Sequence, residues 1–299
     1  MELKILRETK YNKEEGRIII SNINDKVSDL KNMVKMSLDL KVSTDRIGLY
    51  YKKSNTNEKV FLSSNNKQLV EYSVLDKMTI YYKDLGLQIG WRTTYIIEYL
   101  GPLIIISYFF FNLGPSKANT TQILAFIMST FHYVKRLLES VFVHEFSKNT
   151  MPINNLFVNC IYYWILYGVL CGYTLFNEDY IEGTTRSFMR FLAAFLFFSA
   201  EIKNLKCHLI LKKLKDNNKG EKGIPHGEGF EYVSCANYFW EFSAWMCFSL
   251  FVNIWPFYLF TVLGGLIMMK WAQKRHAEYL KVFQDRYPKN RKAFIPFLI

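Results

Sequence analysis

Residues 95–111 read YIIEYLGPLIIISYFFF, a nearly continuous apolar run of about the length that a helix needs to cross a bilayer. Comparable runs recur to the end of the chain, and in lipid only a helix or a closed barrel satisfies its own backbone. Runs this long and this apolar carry no strand alternation, so the part after Trp91 is expected to be a multi-pass α-helical membrane bundle. Hydropathy divides it into about six transmembrane helices, placed at Trp91 to Leu113, Thr121 to Phe146, Asn154 to Phe176, Ser187 to Leu211, Tyr232 to Phe251 and Asn253 to Trp271.

The residues before that boundary are of another kind. Up to Asp84 the chain is polar and lysine-rich with short apolar clusters. Leu3 to Leu6 and Arg17 to Ile20 read as a hairpin, and Val27, Leu30, Val34 and Leu38 mark one face of a helix. Ile47 to Tyr51 and Met78 to Tyr82 read as further strands, which is the element order of a ubiquitin-like β-grasp domain over residues 1–84. It holds no nucleophile set, metal spacing or phosphate loop, so a docking or capping module is expected there and the chemistry in residues 91–299.

The formal charge of +12 invites nucleic acid as a partner, but its location argues for topology instead. Lysines and arginines gather at Lys203 to Lys222 and Lys270 to Lys292, where the positive-inside rule places cytosolic segments. The loop NEDYIEGTTR at Asn177 to Arg186 then faces the lumen, and an even helix count puts both termini in the cytosol. The Asn119-Thr120-Thr121 sequon falls on a lumenal loop too short to be reached for glycosylation. Five cysteines stand singly without C-x-x-C spacing and the five histidines form no metal box, so no metal is expected.

The polar groups inside the apolar helices are costly, because an ionisable group at bilayer depth is disfavoured by about 2.5–3.5 kcal/mol on insertion scales. His132, Arg136 and Glu139 recur at i, i+4 and i+7 with Tyr133 and Lys135 beside them, which makes a polar stripe on one face. Asn204 and His208 are four apart, with Lys212 and Lys215 continuing toward the cytosol. Asn237 and Glu241 repeat the spacing inside SCANYFWEFSAWMCF. One such pair is ordinary interhelical glue; three on separate helices point to a shared chamber. No G-x-G-x-x-G follows a strand and no P-loop exists, so any nucleotide in it must be held by helix side chains.

EYLGP at Glu98 to Pro102, HYVKRLLESVFVHEFS at His132 to Ser147, TMPINNLFVNCIYYW at Thr150 to Trp164, VSCANYFWE at Val233 to Glu241 and the closing HAEYLKVFQDRYPKNRKAFIPFLI together resemble the steroid 5α-reductase family. The β-grasp start and the RLLESVFVH and TMP blocks resemble its trans-2-enoyl-CoA reductase branch. That resemblance implies a multi-pass enzyme of the endoplasmic reticulum membrane that takes hydride from NADPH and saturates the C2–C3 bond of a very-long-chain trans-2-enoyl-CoA, closing the fatty acid elongation cycle and working beside its other enzymes. It also implies that Asn237, Glu241 and Trp245 meet the nicotinamide half of the cofactor. Arg136, Asn204, His208 and Lys215 are implied at its phosphates, ribose and adenine end, with His276 and Tyr279 closing from the tail.

Tyr238 matches the family's catalytic tyrosine and Glu98 the acid at the substrate's carbonyl end. A phenol, with pKa near 10, donates a proton at neutral pH where an ordinary carboxylate does not. The expected roles are therefore Tyr238 as donor, Glu98 as its orienter or as a second acid, and Tyr133 as a further donor candidate. A steroid or polyprenol reductase is the alternative chemistry, and a silent scaffold docking through the β-grasp domain the alternative without chemistry. One position departs from the family: Glu145 follows His144 where related reductases have arginine, so that phosphate contact is expected to be lost or to pass to Lys148.

Overall fold

The computed structural model describes residues 2–7, 15–20, 22, 24–53, 58–146, 149–180, 187–218 and 223–299. These form two compact units, residues 1–94 with 146–157, and residues 95–145 with 158–299.

In the first unit, strands β1 (Glu2–Arg7), β2 (Glu15–Ile19), β3 (Ile47–Lys52), β4 (Lys59–Phe61) and β5 (Thr79–Asp84) lie in the order β2-β1-β5-β3-β4. The β1–β5 pair is parallel, with Ile5 opposite Ile80, and the other pairs are antiparallel. Helix α1 (Val27–Ser37) begins where the Asp29 carboxylate accepts the Lys26 backbone N–H at 3.0 Å. Its apolar residues Val27, Leu30 and Val34 are fully buried against Leu3, Ile5, Ile47, Leu49, Ile80 and Tyr82, the inward positions of the strands. This arrangement is compatible with a β-grasp. A second ribbon pairs β6 (Gln88–Gly90) with β7 (Thr150–Pro152), Ile89 standing opposite Met151, so the segment around Thr150 joins the N-terminal unit.

Among the described residues, six long helical segments follow. Helix α2 (Trp91–Leu113) contains Pro102, which has no N–H to give the Glu98 carbonyl. One turn earlier, Trp164 Nε1 donates to the Ile97 carbonyl at 3.1 Å, and Gly101 makes room for the indole. Helix α3 (Thr120–Phe142) starts with a reciprocal cap in which Asn119 and Gln122 side chains each accept the other's backbone N–H at 2.9 Å. The next segment runs unbroken over Ile153–Leu175. Within it lie α4 (Ile153–Cys160), eleven residues of π-helix at Ile161–Cys171, and α5 (Gly172–Leu175). Helices α6 (Ser187–Asn217), α7 (Ala236–Val252) and α8 (Trp255–Phe283) follow.

The helix ends differ from the hydropathy reading in instructive ways. Helix α3 stops at Phe142 rather than Phe146, because the His144 N–H closes back on the Glu139 carbonyl at 2.7 Å and turns the chain. Helices α6 and α8 run on beyond Leu211 and Trp271, since LKKLKDN and AQKRHAEYLKVF keep helical propensity after the apolar run ends. Helix α7 starts at Ala236 rather than Tyr232, because Gly227, Glu228 and Gly229 all have positive φ and the backbone at Tyr232 and Ser234 is tied to Lys292. Among the described residues only Trp91–Leu113 and Ile153–Leu175 are long and apolar enough to count as spans by composition alone.

Candidate active site

Charge concentrates in the interior of the second unit, where α3, α6 and α7 pack around one another. Helix α3 places His132, Tyr133, Lys135, Arg136 and Glu139 in the interior, all less than a tenth exposed. Helix α6 adds Glu201, Asn204 and His208, equally buried. From α7 come Glu241 and Trp245. Spacings of three, four and seven residues put each set on one helix face, which is why the expected i, i+4 pairs meet.

The contacts form one continuous network. Arg136 Nη1 donates to Glu139 Oε2 at 2.7 Å and its Nη2 to the Tyr99 hydroxyl at 2.8 Å, with its guanidinium 5.0 Å from the Tyr99 ring centre. Lys135 Nζ lies 2.7 Å from Glu201 Oε2 and donates to Asn204 Oδ1 at 2.6 Å. Asn204 Nδ2 in turn donates to the Asn237 carbonyl in the first turn of α7 at 2.8 Å. His132 contacts Glu201 Oε1 through Nδ1 at 2.6 Å and faces Glu241 Oε1 through Nε2 at 3.6 Å, with its ring 4.4 Å from that of Trp245. His208 Nδ1 meets His144 Nε2 at 2.7 Å and lies 3.6 Å from Glu139. A buried cation or acid without a partner is strongly unfavourable, so this pairing is what allows so many charges below the surface.

Six buried atoms of the network make no hydrogen bond. His132 Nε2, Arg136 Nε, Glu139 Oε1 and Glu201 Oε2 each face an opposite charge within 4.0 Å, which leaves the Tyr133 hydroxyl and Glu241 Oε2 with neither a hydrogen bond nor an ion pair. Tyr133 is wholly buried, its ring 5.1 Å from Tyr167 and 6.0 Å from Trp245. Buried polar atoms left without partners among rings and charges are the expected mark of a ligand site.

The remaining expected residues stand apart from this centre. Glu98 is buried and accepts from Asn159 Nδ2 at 2.5 Å; no hydrogen bond joins it to Tyr238 among the described residues. Tyr238 is half-buried, its ring 6.2 Å from Trp271, in a cluster with Cys235, Ala272 and Phe294. Lys215 sits 3.4 Å from Glu145, so the acid found where an arginine is expected holds a lysine expected at a phosphate; Lys148 lies outside the described residues. His276 Nδ1 meets Ser234 Oγ at 2.6 Å, and the same hydroxyl lies 2.6 Å from the buried Tyr287, against which Tyr279 packs at 5.5 Å between rings. The tail is thus folded onto the start of α7 and the far part of α8.

The sequence profile of the 3-oxo-5-alpha-steroid 4-dehydrogenase family matches residues 149–299. A very-long-chain enoyl-CoA reductase of Dictyostelium discoideum is 36% identical over 295 residues, covering 96% of each chain. This chain belongs to that family, among its enoyl-CoA reductases. A putative enoyl reductase of Schizosaccharomyces pombe is 40% identical over 78% of this chain and 81% of its own, and a putative enoyl-CoA reductase of Trypanosoma brucei is 33% identical over 92% and 94%.

For a member of this family, the residues that sequence reasoning misses are informative. Glu201 stands three positions before Asn204 and seven before His208 on the same face of α6, a spacing open to inspection in a stripe that the sequence reading takes up only from Asn204 onward. Tyr99 lies inside the EYLGP motif beside Glu98, and Asn159 inside the TMPINNLFVNC block, yet neither carries a charge that would mark it. Ser234 and Tyr287 have no local signal, since their meeting depends on the return of the tail.

Proposed function

We propose that this protein reduces the C2–C3 double bond of a very-long-chain trans-2-enoyl-CoA to the saturated acyl-CoA, using NADPH, in the endoplasmic reticulum membrane. The observation that carries the reading is the convergence of α3, α6 and α7 on one buried polar network with unpartnered atoms, in a chain related over nearly its full length to an enoyl-CoA reductase. Six spans with both termini in the cytosol complete the picture, the charged faces of α3, α6 and α7 being turned onto one another rather than into lipid.

The donor set suits the cofactor. A nicotinamide carboxamide offers N–H donors and a carbonyl acceptor; the open Glu241 Oε2 accepts the former, and the Asn237 side chain, four residues back, can serve either. Arg136, Asn204 and His208 supply donors for phosphate and ribose oxygens, with Trp245 as a flat wall beside His132. His276 and Tyr279, held by Ser234 and Tyr287 at the start of α7, are in this reading the tail's contribution to the adenine end, with Lys215 farther out. When bound, NADPH supplies the hydride.

Hydride arrival at C3 of the enoyl group pushes charge onto the thioester oxygen and C2, so the chain must stabilise an enolate and then protonate C2. Tyr238 is the proton donor in this reading. Tyr133 presents a buried hydroxyl with no competing acceptor, suited to the thioester oxygen. Glu98, fixed by Asn159, orients the carbonyl end. The surrounding rings of Tyr99, Tyr163, Tyr167 and Phe260 exclude water, which keeps these short interactions strong.

The test is turnover by the purified protein with NADPH and either a long-chain trans-2-enoyl-CoA or a 4-ene-3-ketosteroid, with products identified by mass. Saturated acyl-CoA matched to NADPH consumption is the expected result. Steroid reduction without enoyl-CoA reduction, or no oxidation of NADPH by folded protein, would overturn the reading.

A further inference from the structure

Glu201 is the most deeply buried acid of the chamber, 1% exposed, and nothing in the proposed chemistry uses it. Its two oxygens are divided between two partners. Oε1 holds His132 Nδ1 at 2.6 Å and Oε2 holds Lys135 at 2.7 Å. Each partner leads to α7 by a separate route. Lys135 passes through Asn204 to the Asn237 carbonyl, with contacts of 2.6 and 2.8 Å. His132 turns its other nitrogen to Glu241 at 3.6 Å. A carboxylate accepts only, so it requires a proton on His132 Nδ1 and thereby fixes the ring's orientation toward Glu241.

From this we infer that Glu201 is the positioning residue for the nicotinamide half of the site: through Lys135 it sets the first turn of α7 at Asn237, and through His132 it sets Glu241. The inference rests on the proposed reading of Asn237 and Glu241 as nicotinamide contacts. Glu201 touches neither cofactor nor substrate; it acts by holding two limbs with one rigid, fully buried carboxylate. Glu139 cannot replace it, because its Oε2 is engaged by Arg136 and its Oε1 is 3.5 Å from Lys135.

The consequence is selective. Positioning of one half of the dinucleotide site must weaken ligands that reach that half and spare those that do not. 2′,5′-ADP carries the adenosine half and its 2′-phosphate but no nicotinamide, so it reports the other end alone. Glu201→Gln keeps the shape but removes the charge that holds Lys135. Binding of NADPH should weaken about tenfold or more, the scale expected when reacting groups are misplaced by about 1 Å, while 2′,5′-ADP, which meets this limb only at Asn204, weakens clearly less and KM for the enoyl-CoA is unchanged.

Removing one member of a buried pair can compromise folding, whereas removing both is far better tolerated. The double variant Lys135→Met/Glu201→Gln therefore runs alongside, and the same NADPH-selective loss is expected in it. Parallel loss of NADPH and 2′,5′-ADP in both variants would make Glu201 a general structural residue and overturn the inference, as would wild-type NADPH affinity in either. Wild-type protein that binds no NADPH at all would instead sink the functional reading beneath it.

Discussion

Tyr133→Phe separates a residue kept for function from one kept for the fold. The Tyr133 side chain is completely buried and its ring is enclosed by Tyr99, His132, Tyr167 and Trp245 at centroid distances of 6.5, 5.0, 5.1 and 6.0 Å, yet its hydroxyl meets no partner. A buried hydroxyl without a hydrogen bond carries a desolvation penalty of about 1–3 kcal/mol. Deleting that oxygen removes the penalty and leaves a gap smaller than a methyl group, whose cost is about 1 kcal/mol at most. The ring contacts all survive. Tyr133→Phe should therefore leave the ligand-free protein as stable as wild type or more stable by about 1 kcal/mol, and the thermal midpoint in detergent should hold or rise by a few degrees.

Activity should move the other way. A single oxyanion donor is worth about two to three orders of magnitude in kcat. Turnover with trans-2-enoyl-CoA should thus fall by at least about a hundredfold while the NADPH dissociation constant stays near wild type. Tyr238→Phe tests the other hydroxyl in parallel, with loss of C2 protonation and no gain in stability, since its hydroxyl is not among the buried unpartnered atoms. A Tyr133→Phe protein that melts well below wild type and turns over normally would refute the reasoning, because the hydroxyl would then have a structural partner and no catalytic one.

Gly101→Ala drives a methyl group into the Trp164 indole and breaks its bond to the Ile97 carbonyl; overpacking plus one lost hydrogen bond should cost about 2–4 kcal/mol, measured as a lower thermal midpoint that Gly101→Ala/Trp164→Phe only partly restores. In the first unit, Arg46 holds the Asp84 carboxyl below its ordinary pKa through contacts of 2.5 and 3.0 Å, helped by the Gly86 N–H. A depressed acid stabilises above its unfolded pKa, near 3.9, and that stabilisation disappears as pH falls through the folded value. Asp84→Asn should accordingly speed hydrogen exchange in β5 slightly at neutral pH, by less than about 1 kcal/mol for so exposed a pair, and make no difference once the pH lies well below the folded pKa.

How much of this is legible in the sequence follows from how local each feature is. Val27, Leu30 and Val34 share a helix face within eight residues, and Ile47 to Tyr51 forms one apolar run within five, so α1 and β3 can be read from their own sequence. The strands β4, β6 and β7 have three residues each, too short for a period, and β6 finds its partner some sixty residues away. The polar pairs of α3, α6 and α7 announce a shared polar interior because charge within a largely apolar helix has to face a protein interior or a wet cavity. What spacing cannot state is which acid meets which base: Arg136, expected at a phosphate, holds Glu139 and Tyr99, while Lys215 is found on Glu145.

That division has a physical cause, and it bears on how the site works. Lys135 and Arg136 face three carboxylates, Glu139, Glu201 and Glu241, so no unmatched positive charge awaits an anionic ligand there. On the proposed reading, a dinucleotide phosphate arriving at Arg136 competes with Glu139 for the same guanidinium nitrogens, and its binding energy is reduced by that exchange. The nicotinamide end meets no such competition, because the open Glu241 oxygen has nothing to give up. On that same reading, discrimination for the redox-active half of the cofactor over a bare nucleotide follows from this asymmetry, and it depends on Glu201 keeping His132 and Lys135 where they are.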